Sequence, residues 1–100
     1  MSLKAAFIFI APENDEKIHN AIINAPVVQL HVVGVENYQE GELVARRMVE
    51  QGIEAIELCA GFGIEGVAKI KAAVKGKAIV GVVRFDNHPG FEFKSGDDLF

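Results

Sequence analysis

The sequence predicts a single α/β domain with a four-stranded, mainly parallel sheet. Four apolar runs rich in Ile, Val and Phe, each about six to nine residues long, are typical of strands covered on both faces. Stretches with helical punctuation separate them, which gives the order β-α-β-α-β-α-β and favours right-handed crossovers. The runs are Ala5 to Ala11, Val27 to Val35, Ala55 to Ala60 and Ala78 to Phe85.

A flavodoxin-like strand order, 2-1-3-4, is our prediction for these runs, taken in chain order. Half of a β/α barrel and an α+β ferredoxin-like sandwich are the alternatives. The hydrophobic periodicity is compatible with all three, so the strand order stays open at this point.

The first intervening stretch predicts a helix that begins after Asn14 and ends at Pro26. Asn14 is a residue type that caps helices, and a proline cannot continue one. Between them, Ile18, Ala21 and Ile22 recur at the spacing that places side chains on one face of a helix.

Two further stretches also predict helices. Asn37 followed three residues later by Glu40 resembles a capping box, and Gly52 stands where a C-terminal cap belongs. The third helix begins at about Gly63 and stops at Gly76. The apolar stripe of the second helix is Val44, Ala45, Met48 and Val49, and the third has Ile64, Val67, Ala68, Lys71 and Val74 at helical spacing.

The last fifteen residues, 86–100, form a tail after a core of residues 1–85. Phe91, Phe93 and Phe100 lie in this tail, where Pro and Gly disfavour a long helix. A segment that apolar is predicted to fold back over a sheet edge, with Phe91 and Phe93 in a short edge strand, or to cross to a second subunit. Because a four-stranded sheet also leaves edges to protect, we expect a homodimer.

Length and composition define the class of protein. One hundred residues support one core, so residues 1–100 are one domain. A net charge of −4 with scattered cations disfavours nucleic acid as a partner. The longest apolar run is too short to span a membrane, and the single cysteine excludes an internal disulfide, so we expect a cytoplasmic protein.

The stretch "ELCAGFGIEG" places Gly61, Gly63 and Gly66 at the G-x-G-x-x-G spacing between a strand and a helix. Glycines there let the backbone turn tightly, and the N–H groups that begin the next helix attract an anion. Asp86 lies twenty positions beyond Gly66, where a dinucleotide site places its ribose-binding carboxylate.

Three features argue against a dinucleotide. The turn belongs to the third βα unit rather than the first, Glu57 would repel a pyrophosphate, and Phe62 is bulky for a close approach. A smaller phosphate or carboxylate ligand and a purely structural turn remain as alternatives. We predict no cofactor.

Polar residues at the ends of the last two runs are the candidate catalytic and binding groups. Cys59, near a helix N-terminus, could act as a nucleophile with His88 as its base. Glu57 needs a partner if it is buried, and Arg84 is the candidate, as a structural pair or as a clamp for an anion. Asp86 and His88 could form an acid–base couple or, with a third group, a metal site, but two ligand types two residues apart are not enough to predict a metal ion.

The histidine inside the second run, His31, is predicted to be a core or interface residue rather than a ligand. The sequence therefore favours a binder of a small anion, held by Arg84 and the turn from Gly61 through Phe62 to Gly63. Glu57 or Asp86 would be the general base. The alternative is an oligomeric structural or interaction protein without catalysis.

The chain resembles a family of small bacterial proteins of unknown function in the stretches "KAAFIFIAP", "GIEAIELCAGFG", "GVVRFDNHPG" and "KSGDDLF". This resemblance covers nearly the whole chain and implies a stand-alone domain, with no activity to carry over. Separately, "GIEAIEL" is similar to a strand of the keto-deoxy-phosphogluconate aldolases that carries a proton-handling glutamate. Glu57 matches that glutamate, but the chain is half as long as those enzymes and none of its four predicted strands holds a lysine to form their Schiff base.

Overall fold

The computed structural model describes residues 2–100, which form a five-stranded sheet and two α-helices. The strands are β1 (Leu3–Ile10), β2 (Asn20–Asn24), β3 (Val28–Val35), β4 (Ala55–Leu58) and β5 (Ile79–Val82). The helices are α1 (Tyr38–Glu50) and α2 (Ile64–Val74), and 3-10 turns cover Pro89–Phe91 and Gly96–Asp98. Neither helix has the length and apolar character needed to cross a membrane.

The sheet has the order β2-β3-β1-β4-β5. β1 pairs in parallel with both β3 and β4, and β4 pairs in parallel with β5. β2 is antiparallel to β3 and forms one edge of the sheet. The α/β class and the mostly parallel sheet are confirmed, and the four predicted runs lie in the order 2-1-3-4, as β3-β1-β4-β5. The prediction of a four-stranded, flavodoxin-like sheet does not match in detail, because β2 adds a fifth strand.

The predicted first helix is wrong, because residues 20–24 form the edge strand β2. β-branched Ile22 and Ile23 fit a pleated strand better than a helix. Asn14 does not cap a helix; its side-chain amide donates to the carbonyl of Val35, at the end of β3, over 3.2 Å. Pro26 lies in the turn between β2 and β3, where the N–H of Ala25 donates to the carbonyl of Val28.

Both helices cover the same face of the sheet. The crossovers from β3 to β4 and from β4 to β5 step in the same direction, and right-handed crossovers of this kind place their helices on one side. Alternate side chains of the central strands are therefore buried against the helices. The core includes Ala6, Ile8, Ile10, Val33, Val35, Ile56 and Leu58 from the strands, and Val44, Ala45, Met48, Ile70 and Val74 from the helices.

The ends of the two helices follow the sequence. The Asn37 side chain accepts from the N–H of Glu40 over 2.9 Å, which caps α1. Gly52 has a φ of 88°, the left-handed conformation expected just after a helix. α2 ends before Gly76, which also has a positive φ of 75°. The predicted second and third helices are thus confirmed.

The opposite face of the sheet carries no helix within residues 2–100. A helical crossover from β1 to β3 would step in the opposite direction and place its helix on this face. The segment between these two strands forms the edge strand β2 instead. We call this surface the open face. The register assigns to it Leu3, Ala5, Phe7 and Phe9 of β1, Ala21 and Ile23 of β2, Val28, Leu30, Val32 and Gly34 of β3, Ala55 and Glu57 of β4, and Ile79 and Gly81 of β5.

Two isoleucines on opposite faces test this assignment. Ile56 is 1% exposed beneath the helices, and Ile79 is 75% exposed on the open face. We expect Ile56→Ala to lower the free energy of unfolding by about 2–5 kcal/mol, because it leaves a cavity in the core. Ile79→Ala should cost less than about 1 kcal/mol in dilute protein. Equal losses in denaturant titrations would contradict the assignment.

Candidate functional site

The N-terminus of α2, which the glycine-rich turn creates, holds a carboxylate from the chain itself. Gly63, the N-cap residue, has no side chain to cap the helix. Asp97, from the tail, accepts from the N–H of Glu65 through Oδ2 over 3.1 Å and from the N–H of Gly66 through Oδ1 over 3.2 Å. An anion does sit at this turn, as the chemistry of a helix N-terminus favours, and it is an aspartate.

Tyr38, the first residue of α1, joins this carboxylate to the turn. Its hydroxyl donates to Oδ1 of Asp97 over 2.8 Å and accepts from the N–H of Gly63 over 3.0 Å. The residue is only 4% exposed, and its ring stacks on that of Phe62 with the centroids 5.7 Å apart. One buried hydroxyl thus connects both helices and the tail.

The glycines at positions 63 and 66 are needed for close approach. A Cβ atom at Gly63 would overlap the carboxylate of Asp97, and one at Gly66 would overlap the ring of Tyr38. Both neighbours are held by the hydrogen bonds just described, so neither can move away without breaking them. The spacing that resembles a dinucleotide fingerprint is therefore explained by contacts within the chain.

The tail that delivers Asp97 is itself ordered by a small capping motif. The Ser95 hydroxyl accepts from the N–H of Asp97 over 3.1 Å, and the carboxylate of Asp98 accepts from the N–H of Ser95 over 3.2 Å. These reciprocal bonds form the capping box of the 3-10 turn Gly96–Asp98. The box fixes the direction in which Asp97 points.

A continuous series of rings attaches the tail to the core. Neighbouring ring centroids are 4.1 to 6.1 Å apart, so each ring contacts the next. The predicted edge strand through Phe91 and Phe93 is wrong, since Phe91 lies in a 3-10 turn and Phe93 is exposed. In order, the rings are Phe62, Tyr38, Phe100, Phe91, His88 and Phe85.

The two polar groups at the centre of this contact have shifted pKa values. Partial burial of Asp97 acts to raise the pKa of its carboxyl, but the N–H of Glu65, the Tyr38 hydroxyl and the N–H of Gly66 outweigh it, so the pKa is lowered. Burial raises the pKa of Tyr38 well above its ordinary value, and the neighbouring Asp97 charge adds to the increase. The folded protein thus favours ionised Asp97 beside neutral Tyr38.

The predicted pairing of Glu57 with Arg84 is wrong. Arg84 Nε instead donates to Oδ1 of Asp86 over 2.7 Å, and both side chains are exposed. Glu57 is exposed on the open face, between Phe7 of β1 and Gly81 of β5 in the sheet register. Because water reaches its carboxylate, Glu57 needs no buried partner.

Cys59 and His88 are each bonded elsewhere rather than to one another. The Cys59 sulfur accepts from the N–H groups of Ile10 and Gly61 over 3.4 and 3.3 Å. The Nδ1 atom of His88 accepts from the N–H of Gly90 over 3.0 Å, and its ring stacks on Phe91. The geometry of a nucleophile paired with its base is absent among these contacts.

The remaining predicted site residues are part of the turn and the core. The N–H of Gly61 is used by Cys59, and that of Gly63 by Tyr38. Phe62 is fully buried against the helices rather than lining a ligand site. Within residues 2–100, no group of three or more His, Cys, Asp or Glu side chains is arranged to hold a metal ion.

Two residues of this site were missed by the sequence reasoning, namely Tyr38 and Asp97. The stretch "SGDD" at 95–98 fits the pattern of a capping box and could have indicated an ordered tail. Nothing in the local pattern indicates that Asp97 reaches α2, because 31 residues separate it from Gly66.

A family model matches residues 3–98, and its description is a family of unknown function, DUF6506. The chain belongs to this family. The match includes the glycine-rich turn, Tyr38 and the tail through Asp98, so the site just described lies within the family's domain. The search of curated proteins and the search of solved structures gave no match, and the short likeness to the aldolases therefore has no support from them.

The Asp97 contact predicts a pH-dependent loss of stability. A carboxyl whose pKa is lowered on folding contributes stability above its unfolded pKa of about 3.9, and that contribution disappears as the pH falls through the folded pKa. We expect Asp97→Asn to lower the free energy of unfolding by about 1–2 kcal/mol at pH 7.

The difference between Asp97→Asn and the unmodified protein should shrink as the pH falls from about 4 through the lowered pKa of folded Asp97, below which both side chains are neutral. Urea titrations across this pH range measure it. Asp86→Asn is the control, because Asp86 forms only an exposed pair and should change the stability by less than about 1 kcal/mol. A gap for Asp97→Asn that is constant from neutral to acidic pH would contradict the account.

Proposed function

We propose that the protein is a self-associating module whose open face packs against the open face of a second copy. The observation that carries this proposal is the apolar character of a sheet face that has no helix over it. In a sheet built from parallel strands, both faces are normally covered.

The side chains of the open face resemble those of a protein core. Phe7 and Phe9 of β1 alternate with Leu30 and Val32 of β3 across its centre, and all four are half-buried by their neighbours alone. The one charged side chain assigned to this face is Glu57. A contiguous apolar surface of this kind usually marks an interaction site.

The size of the open face fits a specific interface. Strands about 4.8 Å apart, with a rise of about 3.3 Å per residue, give it a plan area on the order of 500 Å². Side chains standing from the sheet add to this plan area, and each partner of a standard interface contributes ~800 Å². The chain also exposes 6001 Å² in total, compared with about 5,500 Å² expected for a compact monomer of 10.8 kDa.

A second copy is the occupant that the geometry favours. A two-fold axis running between β3 and β1 pairs the apolar centre with itself, which is the common arrangement of soluble homo-oligomers. It also places each Glu57 opposite the β2 edge of the other copy, at the rim, where the carboxylate keeps its water. The fit therefore leaves no buried, unpaired charge.

A lysine at the centre of the open face should abolish the association. Leu30→Lys places a charge where the two copies meet, and we expect it to raise the dimer dissociation constant at least about hundredfold. Leu43→Lys is the matched control, because Leu43 is 50% exposed on α1, on the other side of the molecule. Sedimentation equilibrium measures the dissociation constants, and circular dichroism checks the fold.

If Leu30→Lys fails to fold, Ala5→Lys provides the same test at the neighbouring central position of β1, which lies beside Leu30 in the sheet register. A purely monomeric protein at millimolar concentration would overturn the proposal. The same conclusion would follow if Leu43→Lys weakened association as much as Leu30→Lys.

Binding of a small phosphate or carboxylate at the glycine-rich turn is a second candidate function. The carboxylate of Asp97 supports this candidate, because the N–H groups of Glu65 and Gly66 and the Tyr38 hydroxyl already donate hydrogen bonds to that anion. An external anion would take this place when the tail moves away. The roles of the surrounding side chains stay predictions: Arg84 as a clamp for the anion, Glu57 or Asp86 as the general base, and Cys59 as a nucleophile with His88 as its base.

Removal of the internal carboxylate tests this second function. We expect Asp97→Ala to gain stability in inorganic phosphate, by about 2.7 kcal/mol at one hundred times its dissociation constant, while the unmodified protein gains less. Glu50→Ala, which removes an exposed carboxylate from the end of α1 and leaves Asp97 and its capping box intact, is the control. An equal response to phosphate in all three proteins, or no response in any, would contradict binding at the turn.

A further inference from the structure

A groove lies between α1 and the β2–β3 hairpin, remote from the glycine-rich turn. It exists because the chain forms the edge strand β2 where a helix was expected, so α1 is the last element to cover this end of the sheet. The groove has a volume of about 170 Å³. It lies on the helix-covered side, so its occupancy is independent of association through the open face.

The floor of this groove is apolar and its rim is polar. Val33, Val44 and Met48 form the floor, and each is less than a tenth exposed. Asn20 and His31 line it from the hairpin, and Arg47 and Gln51 line it from the end of α1. An apolar base with a few convergent polar groups is the usual form of a small-molecule site.

The rim carries one cation, Arg47, and one anion, Glu16, which are paired with each other. Arg47 Nη1 donates to Glu16 over 2.9 Å, and Glu16 also uses its backbone carbonyl to accept from the side chain of Asn20. The salt bridge uses one of the five N–H donors of the guanidinium. Arg47 holds the loop and still has donors for a second acceptor, while the carboxylate of Glu16 is already paired.

We propose that this groove binds a small monocarboxylate with a short apolar chain. The carboxylate would accept from Arg47, with the side chains of His31 and Gln51 beside it, and the alkyl chain would lie on the floor. A water-sized group occupies about 30 Å³, so the cavity suits a ligand of about five or six heavy atoms. A phosphate dianion fits less well, because it brings no apolar surface to the floor and meets only one cation.

An amide NMR titration of the full chain with sodium butyrate tests the proposal. We expect saturable shifts at residues of the groove, with a dissociation constant in the millimolar range for a ligand this small. Acetate should bind more weakly because it leaves the floor uncovered, and octanoate should gain little over butyrate because its extra carbons extend beyond the groove. Inorganic phosphate and butylammonium should give no saturable shifts there.

Two neighbouring arginines supply matched variants. Arg47→Gln should weaken butyrate binding about tenfold, because it removes a charge-assisted hydrogen bond. Arg46→Gln removes the same charge from an exposed position one residue away and should leave the affinity within about twofold.

Several results would overturn the proposal. They are shifts that do not saturate, equal shifts with phosphate or butylammonium, and Arg47→Gln binding butyrate as tightly as Arg46→Gln. If Arg47→Gln fails to fold, the series of acetate, butyrate and octanoate on the unmodified protein still decides, and equal affinities across that series would also overturn it.

Discussion

The carboxylate of Asp97 at the N-terminus of α2 is the contact on which the arrangement of the tail and the glycine-rich turn depends. It satisfies two N–H groups that would otherwise lack partners at the start of the helix. Through the hydroxyl of Tyr38 it also reaches the first residue of α1. Gly63 and Gly66 are then required, because any side chain there would occupy the space of Asp97 or Tyr38.

The second constraint is topological. Two crossovers that step in the same direction place both helices on one face of the sheet. The remaining connection, from β1 to β3, forms the edge strand β2 instead of a helix. The open face and the groove beside α1 both follow from that choice. The two proposed binding surfaces therefore have one structural origin, although they lie on opposite sides of the sheet.

Most of the regular structure could be predicted from the sequence, and the physical reasons are local. Nearly continuous apolar runs identified the parallel strands, and the cap at Asn37 and the glycine at Gly52 identified α1. Residues 14–26 were mistaken for a helix because Ile18, Ala21 and Ile22 recur at helical spacing. The preference of Ile22 and Ile23 for pleated strands, together with pairing to β3, decided the structure instead.

The candidate site was less predictable, because its chemistry depends on residues far apart in the chain. The pattern located the turn and its attraction for an anion, but Tyr38, Gly63 and Asp97 meet only after folding. Glu57 shows the same limit: its place in an apolar strand suggested burial, and the missing helix leaves it in water. Which face of a sheet is covered is a property of topology, not of any single strand.

The ionisation of Tyr38, the only tyrosine in the chain, measures the central contact most directly. Ultraviolet titration of the folded protein should show no tyrosinate at the ordinary pKa of about 10, because burial and the charge of Asp97 hold the pKa of Tyr38 higher. In Asp97→Asn the pKa of Tyr38 should fall part of the way back. Titration at about 10 in a protein that remains folded, unchanged by Asp97→Asn, would contradict the account.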